Sequence, residues 1–244
     1  MKNLFYVLGL VALVSCVSAL AQEEIFRTQG HPREDIMARE NMAVKSRQVV
    51  RDNYDPNFIS FNQIKYWVGS GKDSAAVVID WYLDGSETYV WGYLFDGQST
   101  GIELLYTLAA EDPRFYMLVY AETEYGSAIG GMGVNPSSTG RKCITKTGYT
   151  PQCAGESGII SLGSYDFDGW SAITAGAYWS GGWMNGYWSY HTRNNSTSDF
   201  EYSQVGASSR IILPGSWDAW GYQEGWESWV GMLPRLPYVA IPQP

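Results

Sequence analysis

Residues 74–115 read SAAVVIDWYLDGSETYVWGYLFDGQSTGIELLYTLAAEDPRF. Two β-rich runs, an apolar one from Ala75 to Trp81 and ETYVWGYLF, flank an Asp84-Gly85 pair. Asp-Gly between such runs is a hairpin signal. The hydrophobic period then changes. Ile102, Leu105 and Leu108-Ala109 fall on one face at helical spacing. Ser99 or Thr100 opens that segment, and Glu103 completes a capping box if Thr100 is the cap. Pro113 stops the helix after about ten residues. Strand, turn, strand and capped helix in this order predict an α+β domain with one main helix near 100–110.

Outward from this stretch, FISFNQIKYWVGSG (58–71) reads as a strand ending in a Gly-Ser turn, and FYMLVYAE (115–122) as another strand. YGSAIGGMGV (125–134) reads as a glycine-rich turn region. Residues 136–160 form a polar insertion containing Cys143 and Cys153, and strand signals return from Ile159. The aromatic-rich domain is expected to span 58–231, followed by a Pro-rich tail over 232–244. Residues 22–57 are charged, helix-prone and free of tryptophan, which suits a spacer.

The amino terminus begins with Lys2 and an apolar stretch of 11 residues from Leu4 to Val14, a signal-peptide pattern too short to span a bilayer. Ala19-Leu20-Ala21 offers a cleavage site, giving a signal peptide over 1–21. Leu13-Val14-Ser15-Cys16 also reads as a lipobox, whose Cys16 would carry the lipid. Both readings place the protein outside the cytoplasm, one secreted and one tethered at the cell surface. In that oxidising setting Cys143 and Cys153 are expected to pair, stabilising the fold by about 2–3 kcal/mol. A net charge of −9, with no basic cluster, argues against nucleic acid and anionic lipid as partners.

Motifs for chemistry are sparse. The two histidines, His31 and His191, have no His/Cys ligand cluster around them, and no metal or cofactor is expected. Gly69-Ser70-Gly71-Lys72 lacks the first glycine and the Ser/Thr of a phosphate loop, since Tyr66 and Asp73 stand there. Ser127 in YGSAIGG has the wrong spacing for a nucleophile elbow. Asp166 and Asp168 in YDFDGW suit a turn, with calcium ligation as the alternative reading. A glycosidase carboxylate pair is defined in space, so a hydrolase stays open as an alternative to a non-catalytic protein.

The tryptophans carry the strongest signal. Trp170, Trp179, Trp183, Trp188, Trp217, Trp220 and Trp226 lie within 57 residues of a chain that has 11. Alternation over Tyr187–Thr192 puts aromatics on both faces of a strand. Such a sheet is either covered twice or offers one face to a ligand. Asn185, Ser189 and Asp218 would supply polar handles between the rings.

The order of these motifs resembles a known family. Thr-Gly-Ile-Glu-Leu-Leu (100–105), YGSAIGGMG (125–133), GYWSYH (186–191) and VGASSRIILPGSWDAWGY (205–222) follow the series of the transcobalamin-like carboxy-terminal domain, with Ser216 where that family usually has Asp. That domain is a β-grasp-like fold of bacterial surface proteins and vitamin B12 carriers. The resemblance covers roughly residues 60–225. It implies a corrinoid ligand, with Trp188, Tyr190, Trp217, Trp220 and Tyr222 as a stacking wall and an outer-membrane transporter as a possible partner. Two further readings stand beside it: a carbohydrate-binding module, and a structural or adhesive surface protein whose aromatics are all core.

Overall fold

The computed structural model describes residues 61–224, apart from 84–87, 124–125, 138–139, 185 and 196–197. The signal segment with Cys16, the 22–57 spacer, the Asp84-Gly85 turn and the Pro-rich tail lie outside the described residues. Sixteen elements follow a short 3-10 turn at Phe61–Gln63. They run β1 (Trp67–Gly69), β2 (Asp73–Asp80), β3 (Tyr89–Phe95), β4 (Ser99–Thr100), α1 (Gly101–Glu111), β5 (Phe115–Thr123) and β6 (Gly126–Val134). Then come β7 (Cys143–Thr145), β8 (Gln152–Cys153), β9 (Ile159–Leu162), β10 (Ser171–Ala172) and β11 (Tyr178–Gly181). The described residues close with β12 (Gly186–Arg193), β13 (Glu201–Tyr202), β14 (Ile211–Ile212) and β15 (Trp217–Glu224). This is a sheet-rich α+β domain with one α-helix among the described residues. No helix among them is long and apolar enough to cross a membrane.

A mixed six-stranded sheet has the order β1-β3-β2-β15-β12-β13. β2 pairs antiparallel with β3, β12 antiparallel with β15, and β15 parallel with β2. Helix α1 starts as its sequence dictates. The Thr100 side chain accepts from the Glu103 amide, and the Glu103 carboxylate accepts from the Thr100 amide at 2.8 Å. Its buried side, Ile102, Leu104, Leu105, Leu108 and Ala109, packs on the sheet.

Between α1 and β12 the chain builds a second sheet, β11-β6-β5-β9, with a smaller β10-β7-β8 sheet carrying the Cys143–Cys153 disulfide. The two cysteines stand directly opposite each other on β7 and β8. The insertion is therefore larger than the 136–160 segment that composition marks out. Strand β5 alternates between two cores. Phe115, Met117 and Val119 face α1 and the six-stranded sheet, while Tyr116 and Leu118 face outward to Phe167, Trp170 and Trp179. Trp81 Nε1 donates to the Met132 carbonyl at 2.8 Å, and Trp188 Nε1 to that of Ser180 at 3.2 Å. Indole rings thus fill the space between the sheets while their N–H groups satisfy backbone acceptors.

Two expectations are corrected. In its described part, from Phe61, the 58–71 segment gives a 3-10 turn and a three-residue strand, in place of one long strand. The glycine-rich 125–134 segment is in its described part a strand, β6, and its glycines have a packing cause. A Cβ on Gly130 would come within 2.2 Å of the Phe167 ring, and one on Gly131 within 2.5 Å of Trp179. On Gly133 it would come within 2.5 Å of Tyr116 and 2.8 Å of Trp179. Flat rings lie directly on the strand backbone, a close approach that only glycine allows. Gly133→Ala is accordingly expected to destabilise by about 1–3 kcal/mol, because two buried rings must move. A urea titration measures it, and an unchanged midpoint would contradict the packing account.

Candidate functional site

The five aromatics expected to form a stacking wall are all interior. Exposure is 3% for Trp188, 0% for Tyr190, 0% for Trp217, 4% for Trp220 and 6% for Tyr222. They also do not share a face. Tyr190 opposes Trp220 and Trp188 opposes Tyr222 across the β12–β15 ladder, pointing toward α1 and the second sheet. Tyr190 and Trp220 stack at 4.1 Å. Trp217 points to the opposite side, against Phe61, Ala76, Val78 and Phe200. The sheet is thus covered on both faces, and these rings present no wall to a ligand.

Of the expected polar handles, Asn185 lies outside the described residues. Ser189 is buried and donates to the Gly221 carbonyl at 2.9 Å. Asp218 is buried and accepts a hydrogen bond from the Tyr190 hydroxyl, while Arg210 Nε approaches its other oxygen at 3.5 Å. Arg210 also reaches Asn194 at 2.9 Å, and Gly101 lies so close that a Cβ would come within 2.7 Å of the Tyr190 hydroxyl. Burial lifts the Asp218 carboxyl to about 6, against the opposing pull of Arg210 and Tyr190.

The folded protein therefore holds this proton more tightly than the unfolded chain. The stability Asp218 contributes is full below the unfolded value near 3.8 and is lost as pH rises through about 6. Between about pH 4 and pH 7.5, wild type is expected to lose on the order of 1–3 kcal/mol relative to Asp218→Asn. Urea midpoints of the two proteins at both pH values measure this. A pH-independent difference would contradict it.

Half-buried aromatics occur at several places, Tyr66, Trp67, Tyr106 and Tyr202 among them, and one group of them comes together on the insertion. Tyr120, Tyr165 and Trp183 are half-buried and pack on the outer core whose floor is Phe167. Tyr165 meets Tyr120 at 4.2 Å and Trp183 at 5.4 Å, and Trp183 stands edge-on to Phe167 at 4.7 Å. Asp168 fixes the Trp183 turn, since its Oδ1 accepts from the backbone N–H groups of Trp183 and Met184, each at 2.7 Å. Gly182, at φ +97°, lets the turn pass over that carboxylate. Met184 beside it is 74% exposed.

A second aromatic group stands on the disulfide-closed hairpin. Tyr149 is 52% exposed and meets Trp170 at 5.6 Å. The Lys146 ammonium lies 4.6 Å over the Tyr149 ring and 5.8 Å over that of Trp170, and it pairs with Asp166. Trp170 Nε1 donates to the Asp166 carbonyl at 2.8 Å. The Lys146 ammonium, with the Tyr149 hydroxyl, holds the Asp166 carboxyl below its ordinary range; the same pairing raises Lys146.

The chain matches no protein-family model, no curated protein and no solved structure. The two acids of YDFDGW are engaged, Asp168 with two backbone amides and Asp166 with Lys146. Among the described residues no three His, Cys, Asp or Glu side chains come together as metal ligands. What the surface offers is half-buried rings packed on one another and on Phe167, and beside them a partly exposed ammonium–carboxylate pair. Such a surface can stack on a flat apolar face and hydrogen-bond to neutral hydroxyl groups around it. Alternation along the strands does not point to Tyr165 and Trp183. The signal that does is position: both are aromatics in Gly- and Asp-rich turns, where neither is part of an alternating strand face.

Proposed function

We propose that this chain is an exported, non-catalytic carbohydrate-binding protein, secreted or tethered at the cell surface, which meets its ligand through the insertion. The carrying observation is the half-exposed Tyr165–Trp183 pair, with the Trp183 turn fixed by Asp168. A ring that is pre-ordered before binding loses little freedom on contact, which favours affinity. The signal-type amino terminus and the disulfide suit an extracytoplasmic setting. The core reads as β-grasp-like. Hairpin β2–β3, helix α1 and the antiparallel pair β12–β15 give the sheet order β3-β2-β15-β12, with β2 and β15 parallel at its centre. The second sheet is then an insertion into that framework.

The corrinoid reading rests on the family resemblance and on rings that are interior. A corrin needs a broad, unbroken wall, whereas a sugar needs one or two ring faces, so carbohydrate is the better fit. Binding to an array of neutral glycans is expected, and Trp183→Ala is expected to weaken it at least about tenfold while the circular dichroism spectrum is retained. Retention of no glycan, together with a spectral shift of cobalamin on mixing, would overturn the carbohydrate reading in favour of a corrinoid.

A further inference from the structure

We infer that the ligand is an internal stretch of a neutral polysaccharide, spanning both aromatic groups in place of a single sugar at one of them. This rests on the carbohydrate reading and names its ligand class more narrowly. The two platforms are carried by one segment. Tyr165 belongs to the Trp183 group and Trp170 supports Tyr149, and these two residues are five positions apart, so their own Cα atoms are at most about 18 Å apart along an extended chain. Both supports, Phe167 and Trp170, belong to the same buried cluster, so the platforms are held in one rigid body. Asp166, next to Tyr165, and its partner Lys146 offer a hydrogen-bond acceptor and donors along this segment.

Neutrality follows from charge. Lys146, the cation that lies over Tyr149 and Trp170, is neutralised by Asp166. That pair offers an acidic polymer no free counter-charge. Two modest contacts joined through one ligand reinforce each other, so affinity grows with ligand length until both are engaged.

Isothermal titration of the full chain with cello-, manno- and chito-oligosaccharides, from dimer to hexamer, tests this. In the series that binds, Kd is expected to fall at least about tenfold from dimer to hexamer. Tyr149→Ala is expected to remove that gain. Its ring is mostly exposed, so folding is retained. Equal affinity for dimer and hexamer, or a hexamer affinity indifferent to Tyr149→Ala, would overturn the inference alone. No binding by any of the three series would overturn it together with the carbohydrate reading.

Discussion

Asp112→Asn is expected to lower the unfolding free energy by about 3–5 kcal/mol, although it changes one atom of a side chain. Asp112 caps the carboxyl end of α1 and is fully buried. Its carboxylate accepts four hydrogen bonds: from Trp91 Nε1 at 2.9 Å, the Arg114 amide at 2.9 Å, Arg114 Nε at 3.0 Å and Arg114 Nη2 at 2.8 Å. The Arg114 side chain is itself only 4% exposed, with its guanidinium 5.3 Å over the Tyr66 ring and 5.9 Å over that of Tyr89. An asparagine offers one acceptor oxygen and leaves a buried cation without its counter-charge. Removing one partner of a buried pair is costly even where the pair as a whole contributes little. The urea midpoint should fall at an unchanged m value. A loss below about 1 kcal/mol would mean that Arg114 finds water when Asp112 is neutral.

Trp217→Ala should cost a similar amount, about 3–5 kcal/mol, for a different reason. Its ring lies 5.0 Å from Phe61, and the buried Arg193 guanidinium sits between it and Phe200, at 4.6 and 4.7 Å. Truncation would open a cavity and remove one of the two rings that face the cation. Trp183→Ala, at the half-exposed site, should cost no more than about 1–2 kcal/mol. The two tryptophans are indistinguishable by residue type and have opposite expected phenotypes: one supports the fold, the other the contact. Thermal melts of both variants beside wild type measure the contrast. Equal losses would place Trp183 in the core too and remove the distinction on which the binding account depends.

Local signals were legible wherever their cause is local. The capping box needs only Thr100 and Glu103, three residues apart, and it forms as read. The β2–β3 hairpin was read from two β-rich runs with Asp-Gly between them, and the antiparallel ladder from Asp73↔Phe95 to Ile79↔Tyr89 forms. What failed depended on distant partners. Glycines 130, 131 and 133 suggest a turn until Phe167, Trp179 and Tyr116 are laid on them. Aromatics on both faces of β12 were compatible with two covered faces or with one open face. That choice is made by the second sheet on one side and by Phe61, Trp67 and Phe200 on the other. No periodicity within Gly186–Arg193 encodes those covers. The surface rings were missed for the converse reason: Tyr165 and Trp183 owe their position to Asp168 and Phe167, which fix turns that have no repeating pattern.

The proposed contact separates Trp220, buried on β15, from Trp183, half-buried in its turn. Tryptophan fluorescence during titration with a neutral oligosaccharide tests this most directly, in Trp183→Phe and Trp220→Phe, which both keep an aromatic ring. The predicted result is a saturable change in wild type that persists in Trp220→Phe and vanishes in Trp183→Phe. A signal lost in Trp220→Phe and kept in Trp183→Phe would contradict it and return the ligand to the strand face.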